Sequence, residues 1–177
     1  MIDAKTMKVT AHYDFGDKGS RCNGLALDVK NHVLFAACGQ SGIPAVTPAQ
    51  PRMVILNADD GKIITSLPLA GGSDGAVFNP ATMEAFSSHG NGTMTIVKES
   101  SPTSFAVEQD LQTMAGAKTL TLDTKTNHIL TMAAEYGPPP AGRAARRGPR
   151  RHRDAAVGGP ARGPMLPDSF SILVVGK

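Results

Sequence analysis

Tryptophan is absent from the 177 residues and aromatics reach only 5%, so any core must be assembled from Val, Ile, Leu, Met, Ala and a few Phe. No apolar run approaches the roughly 20 residues that a bilayer-spanning helix needs, Phe170 to Val175 included. A membrane span is therefore not expected. Two cysteines, Cys22 and Cys38, are too few to define a redox compartment. No apolar leader opens the chain, because Met1-Ile2-Asp3-Ala4-Lys5-Thr6 carries charge where such a region would begin.

What is present is punctuation. Nineteen Gly and thirteen Pro separate short runs rich in β-branched and aliphatic residues, a vocabulary of many short strands. A single domain of this length would bury roughly two thirds of its unfolded surface. The net charge of +3 is localised. Pro138 to Pro164 holds seven Arg (143, 146, 147, 150, 151, 153 and 162) against Asp154, which leaves the rest of the chain at −3. With six Pro and five Gly and no strand pattern, that segment reads as a loop excursion between two strands. Arg clusters neutralise phosphates, but no Tyr, Phe or Trp is interleaved for base stacking, which argues against nucleic acid.

Three segments repeat. Asn23-Gly24-Leu25-Ala26-Leu27-Asp28, Asp74-Gly75-Ala76-Val77-Phe78-Asn79 and Lys118-Thr119-Leu120-Thr121-Leu122-Asp123 each end in Asp or Asn, followed by a polar turn and a second β-rich run. Those runs are Val33 to Cys38, Met83 to Ser88 and His128 to Ala133. The spacing is 51 residues from Asp28 to Asn79 and 44 from Asn79 to Asp123, close to the 40–50 of a four-stranded propeller blade. Each terminal Asp or Asn can accept hydrogen bonds from its own turn. Third and fourth strands follow: Arg52 to Asn57 with Lys62 to Leu67, and Gly92 to Val97 with a strand around Phe105 to Glu108. The expected fold is all-β: a β-propeller of about three four-stranded antiparallel blades, spanning 1–177 as one partial domain. Residues 1–20 supply orphan outer strands, and the blades cover 21–70, 71–114 and 115–177, the last carrying the 138–164 insert.

The turns Ile2-Asp3-Ala4-Lys5-Thr6, Leu56-Asn57-Ala58-Asp59-Asp60-Gly61 and Leu122-Asp123-Thr124-Lys125-Thr126-Asn127-His128, with Gly90-Asn91-Gly92-Thr93-Met94-Thr95-Ile96 and Gly116-Ala117-Lys118-Thr119, resemble the YncE-like, YVTN-type propeller repeats. The resemblance covers Met1 to Tyr136 and Met165 to Lys177. It implies a fold shared by lactonases, dehydrogenases and plain binding scaffolds, and a periplasmic or secreted setting.

In a propeller the first strands line a central channel, and Asn23, Asp74 and Lys118 take equivalent places at its mouth. Gly39-Gln40, His89-Gly90-Asn91 and Glu135-Tyr136 are equivalent loop starts. Asn23, Asp74 and Glu135 offer the hard oxygens that Ca²⁺ prefers, an arrangement loosely similar to the ring of propeller lactonases. A Ca²⁺ ion held there would polarise a lactone-like small-molecule substrate, with His89 or Asp74 as base. The alternative reading is a non-catalytic binding or scaffold module, in which His89 and Asp74 are turn residues with local hydrogen bonds. Cys22 and Cys38 fall opposite each other if Leu27 faces Val33, which suits a packed thiol pair or a disulfide. His32 and His128 take equivalent turn positions and need no functional account.

Three blades do not close a ring, since propellers have about four to eight. The last unit lacks a fourth strand, while Lys8 to Asp14 is a fourth strand without a blade. A homodimer in which each N-terminal strand completes the partner's last blade is the expectation.

Overall fold

The computed structural model describes residues 1–19, 21–39, 50–138 and 163–176. Among them lie thirteen strands in four antiparallel sheets and no α-helix. β1 (Ile2–Asp3) and β2 (Lys8–Val9) form a hairpin. β3 (Gly24–Asp28), β4 (Val33–Cys38), β5 (Arg52–Asn57) and β6 (Ile63–Pro68) make the first blade. β7 (Ser73–Asn79), β8 (Glu84–His89), β9 (Thr93–Ser101) and β10 (Ser104–Gln112) make the second. β11 (Lys118–Asp123), β12 (His128–Ala133) and β13 (Ser171–Val175) make a three-stranded third. In every blade the strands pair in sequence order as a meander, the partial β-propeller that the repeats predict.

One local device builds five of its turns. The residue closing the strand uses a side-chain oxygen to accept the backbone N–H two positions on: Lys5 to Asp3, Lys30 to Asp28, Asp59 to Asn57, Ala81 to Asn79 and Lys125 to Asp123, all at 2.8–3.0 Å. Four residues after that acceptor the backbone turns left-handed, at Met7 (φ 54°), His32 (54°), Gly61 (73°), Met83 (54°) and Asn127 (59°). The next residue opens the following strand or stands just before it. A left-handed residue lets a two-strand turn close with the right twist, and only at Gly61 is it free of Cβ strain. His32 therefore matches Asn127 and Met83, whereas His128 is one place further on, paired with Asp123 in the ladder.

The first hairpin runs one residue out of the expected register: Leu27 faces Leu34, and Gly24 faces Ala37. A packing constraint acts at Gly24 itself. A Cβ on Gly24 would lie 2.5 Å from the Ala76 backbone nitrogen, so β3 can approach β7 at the channel only as glycine. Cys22 and Cys38 are joined in a disulfide across the end of this hairpin, which decides between the two readings of the pair.

Alternation then sorts side chains between blade faces. Ala26, Val33, Phe35, Ala37, Met53 and Ile55 of the first blade meet Phe78, Ala85 and Val97 of the second, with the Phe35 ring stacked on Phe78 (centroids 5.2 Å) and edge-on to Phe105 (5.8 Å). Phe86, Met94 and Ile96 of the second blade meet Ile129 of the third, flanked by Leu120, Leu122 and Val175. Each such Phe, Met, Ile, Leu or Val side chain, fully buried, contributes about 1.5–3 kcal/mol. The strand expected at Lys8 to Asp14 shortens to Lys8–Val9, because β1 offers only Ile2 and Asp3 to pair with. Beyond it Tyr13 and Phe15 lie against Ala36, Cys38, Val54 and Leu56 on the outer face of the first blade. The Tyr13 hydroxyl donates to the Asp59 carbonyl (3.1 Å).

Candidate functional site

The loop face, where first strands begin and second strands end, is where the sequence places candidate chemistry. Asn23 stands just before β3, and its Nδ2 donates to the Ser73 carbonyl of the second blade (3.4 Å). Asp74, its repeat equivalent in β7, accepts on Oδ2 from the Thr119 backbone N–H (3.1 Å), and its Oδ1 lies 3.5 Å from Lys118 Nζ. The same repeat position thus reaches forward twice, from first blade to second and from second to third. These polar groups stitch neighbouring blades together at the channel mouth. Glu135 is exposed beyond β12, where its backbone N–H donates to Ser169 Oγ (3.2 Å).

His89 ends β8 and is fully buried (0% exposed), directly across the sheet from Ser73. Its Nδ1 lies 2.9 Å from Thr93 Oγ1, and the Thr93 hydroxyl donates to Asn91 Oδ1 (2.8 Å). Thr93 spends its one hydrogen on Asn91, so His89 must donate through Nδ1–H. Nε2 then carries the lone pair and has no hydrogen-bond partner. Burial drives the imidazole pKa down from 6.5 to about 4, opposed by the nearby Asp110 charge. The side chain is neutral at physiological pH and closed to solvent. Next to it Ser87 Oγ donates to Ser73 Oγ (3.3 Å), and Thr95 Oγ1 donates to Asp110 Oδ1 (2.6 Å) while accepting from the Ala70 N–H (3.1 Å).

The set suggested for Ca²⁺ is not a ready ligand shell. Asp74 has a backbone N–H on one oxygen and an ammonium near the other, and a dication would have to displace Lys118. Asn23 donates to a carbonyl, and Glu135 belongs to a separate cleft. No group of three or more His, Cys, Asp or Glu suited to a metal ion occurs among the described residues. These residues do not fit the ion, and no chemistry is derived through it.

That separate cleft, of about 530 Å³, lies between the second and third blades. Gly90, Gly116 and Gly137 give it a backbone-rich floor, with Glu135, Tyr136 and Leu166 around it. Its edge closes off the Arg-rich insert at the root: Tyr136 bridges to Met165, and Gly137 N–H donates to the Pro164 carbonyl (2.9 Å). The Arg residues of the insert lie outside the described residues.

Sequence reasoning missed a buried carboxyl pair at the opposite face. Asp28 and Glu99, 1% and 2% exposed, meet between the first and second blades, and Asn31 Nδ2 donates to Glu99 Oε1 (2.7 Å). Burial raises the Glu99 pKa above the usual carboxylate range; the Asn31 hydrogen bond opposes this, and Asp28 adds to it through its charge and a hydrogen bond. Asp28 looked like an ordinary turn residue, and only the distant Glu99, 71 positions on, gives it this second role.

No family model matches the chain, and no curated protein matches it. Among solved structures, one of the hydrazine synthase of Kuenenia stuttgartiensis aligns with a TM-score of 0.60 at 11% identity, over 77% of this chain and 36% of that one. A chain of the COPII outer coat vertex on membranes aligns at 0.54 and 15% identity, over 65% of this chain and 32% of that one. The β-propeller domain of Myceliophteria thermophila Cps50 (Swd1) is similar over 75% of this chain and 55% of that one, at 12% identity and a TM-score of 0.49. The chain thus spans about a third of the length of the first two. At such identities the likeness speaks to the fold alone.

Proposed function

We propose that this chain is a non-catalytic β-propeller module that works by binding. The observation that carries the reading is the use of the channel-mouth groups: Asn23, Asp74 and Lys118 are spent on holding blades together, and His89 is a buried neutral imidazole with no route to substrate. A general base needs hydrogen-bond reach to the proton it removes and a pKa near the working pH, and His89 has neither. The cleft between the second and third blades is the seat for a small ligand, since it combines exposed backbone with the polar ends of Glu135 and Tyr136. The Cys22–Cys38 bridge supports work in an oxidising compartment.

The competing assignment, a Ca²⁺-assisted lactonase, is tested directly. The folded protein is assayed against a panel of γ- and δ-lactones with Ca²⁺ and with chelator. The binding-module reading expects hydrolysis at the uncatalysed rate in both. Turnover that needs Ca²⁺ and is lost in Asp74→Ala, with folding intact, would overturn it. Amide shift changes at Gly116 and Gly137 on titrating a fragment library then locate the ligand seat; changes confined to other faces refute the cleft.

A further inference from the structure

The residues that end the three first strands do the same work in their own turns. Asp28, Asn79 and Asp123 each accept the backbone N–H two positions on, so an amide serves this turn as well as an acid does. Their second side-chain atoms differ in use. Asp123 Oδ2 accepts from the hydroxyl of Thr126, three residues on in the same turn (2.7 Å). Asn31 holds the matching place in the first blade, yet its Nδ2 turns away to Glu99 Oε1 of the second blade (2.7 Å). Asp28 Oδ2 is thus left buried with no donor, and so is Glu99 Oε2.

Glu99 is likewise more than the repeat needs. Its backbone N–H donates to the carbonyl of left-handed Met83 (2.9 Å), as the Ala58 N–H donates to that of left-handed His32 (2.7 Å), so Ala58 fills the same slot in the first blade without a carboxyl. Two acids therefore meet in the seam between two complete blades, where the turns and ladders require neither. Asp28 is the charge that acts on Glu99. Of the charged residues flanking the pair in chain and ladder, Lys98 sends its ammonium to the Thr82 carbonyl (2.5 Å), Glu84 lies opposite Lys98 on β8, His32 is held by Asp59 (2.9 Å) and Lys30 is exposed. Two buried acceptors that meet with no donor are both satisfied by one hydrogen between them. A dication would call for about six to eight oxygens, more than Asp28, Glu99 and Asn31 supply.

We propose that Asp28 and Glu99 share one proton, and that this proton fastens the first blade to the second at the face opposite the channel-mouth loops. With the proton in place, the Glu99 carboxyl donates to Asp28 across the seam. When it passes to water, two carboxylates confront each other away from solvent and the seam loosens. Opening the seam releases the proton, so it becomes easier as pH rises from the ordinary carboxylate range to the raised folded value of Glu99, and levels off beyond.

Two measurements on the full chain test this. Carbon-13 resonances of the side-chain carboxyls, followed with pH, should show Glu99 releasing its proton above its ordinary 4.5, with the same step visible at the Asp28 carboxyl carbon. Asp28→Asn keeps an acceptor for the Lys30 N–H, as Asn79 does for Ala81, and should move the Glu99 step down because its amide donates to a carboxylate. Hydrogen exchange of the Lys30 and Glu99 amides, corrected for the intrinsic rate, should give an opening constant that climbs by up to about tenfold per pH unit across that window. The climb should shrink in Asp28→Asn and vanish in Glu99→Gln. The Ala81 amide, in the equivalent turn closed by Asn79, is the internal reference for whole-molecule opening. A Glu99 carboxyl titrating at or below 4.5, a step absent from Asp28, seam amides that track Ala81 at every pH, or seam amides slowed by millimolar Ca²⁺ overturns the proposal.

Discussion

Protonating His89 should loosen the second blade. The imidazole titrates near 4 in the folded chain and near its ordinary 6.5 once unfolded, because burial disfavours the cation. The unfolded chain therefore binds the proton more readily. Stability is complete above pH 6.5 and is lost as pH falls toward 4. A tenfold difference in proton affinity is worth about 1.4 kcal/mol, so the whole difference would amount to about 3 kcal/mol, and solvent screening at the blade end lowers it to about 2. The control is His89→Gln, which keeps a donor for Thr93 and cannot titrate. Urea unfolding of both proteins at about pH 7.5 and about pH 4.5 should show the wild type losing roughly 2 kcal/mol more than the variant over that interval. Taking the difference cancels every other titrating group. A His89 ring resonance titrating at 6.5 or above, or parallel pH profiles for the two proteins, would refute the buried, neutral, non-catalytic histidine.

Glu99 should move stability the other way: its folded pKa is raised, so the contribution is full below the ordinary carboxylate range and lost as pH climbs through the folded value. Glu99→Gln can donate permanently to Asp28, and should gain about 1 kcal/mol over the wild type above neutrality in chemical denaturation, the gain vanishing in acid. Reducing the Cys22–Cys38 bridge, which closes a 16-residue separation, should cost about 3 kcal/mol of unfolding free energy, read as a lower urea midpoint in dithiothreitol; an unchanged midpoint refutes a stabilising bridge. Met7→Gly relieves a left-handed residue whose side chain is exposed, and should protect the β1–β2 amides in hydrogen exchange by about 1 kcal/mol.

Most strand positions were legible because they rest on local signals: alternation, turn chemistry and the repeat all point the same way from Gly24 to Ala133. β4, β5, β11 and β12 begin and end where the sequence pattern puts them. The misplacements have non-local causes. The one-residue slip at Leu27 sits beside Gly24, whose fit against β7 is a contact between blades. β9 and β10 run on to Ser101 and Gln112 because they extend each other beyond the shorter inner strands. The left-handed Met83 and His32 carry no glycine to announce them. Site residues were harder to read, since Asp74 and Asn23 have the same side-chain chemistry whether they hold an ion or a neighbouring blade; only Thr119, 45 positions away, separates the two. Burial likewise holds the His89 imidazole well below its ordinary pKa, and a run such as Ser87-Ser88-His89 does not reveal which way its strand faces.

Asp74 is where an inter-blade tie and an ion ligand differ most directly. Unfolding free energies of the wild type and Asp74→Ala, each measured with millimolar Ca²⁺ and with chelator, separate an inter-blade tie from a ligand. The tie predicts a loss of about 1–2 kcal/mol in the variant, from the Thr119 bond and the Lys118 contact, and no response to Ca²⁺ in either protein. A wild type stabilised by Ca²⁺, with a variant equally stable in chelator and blind to the ion, would contradict it.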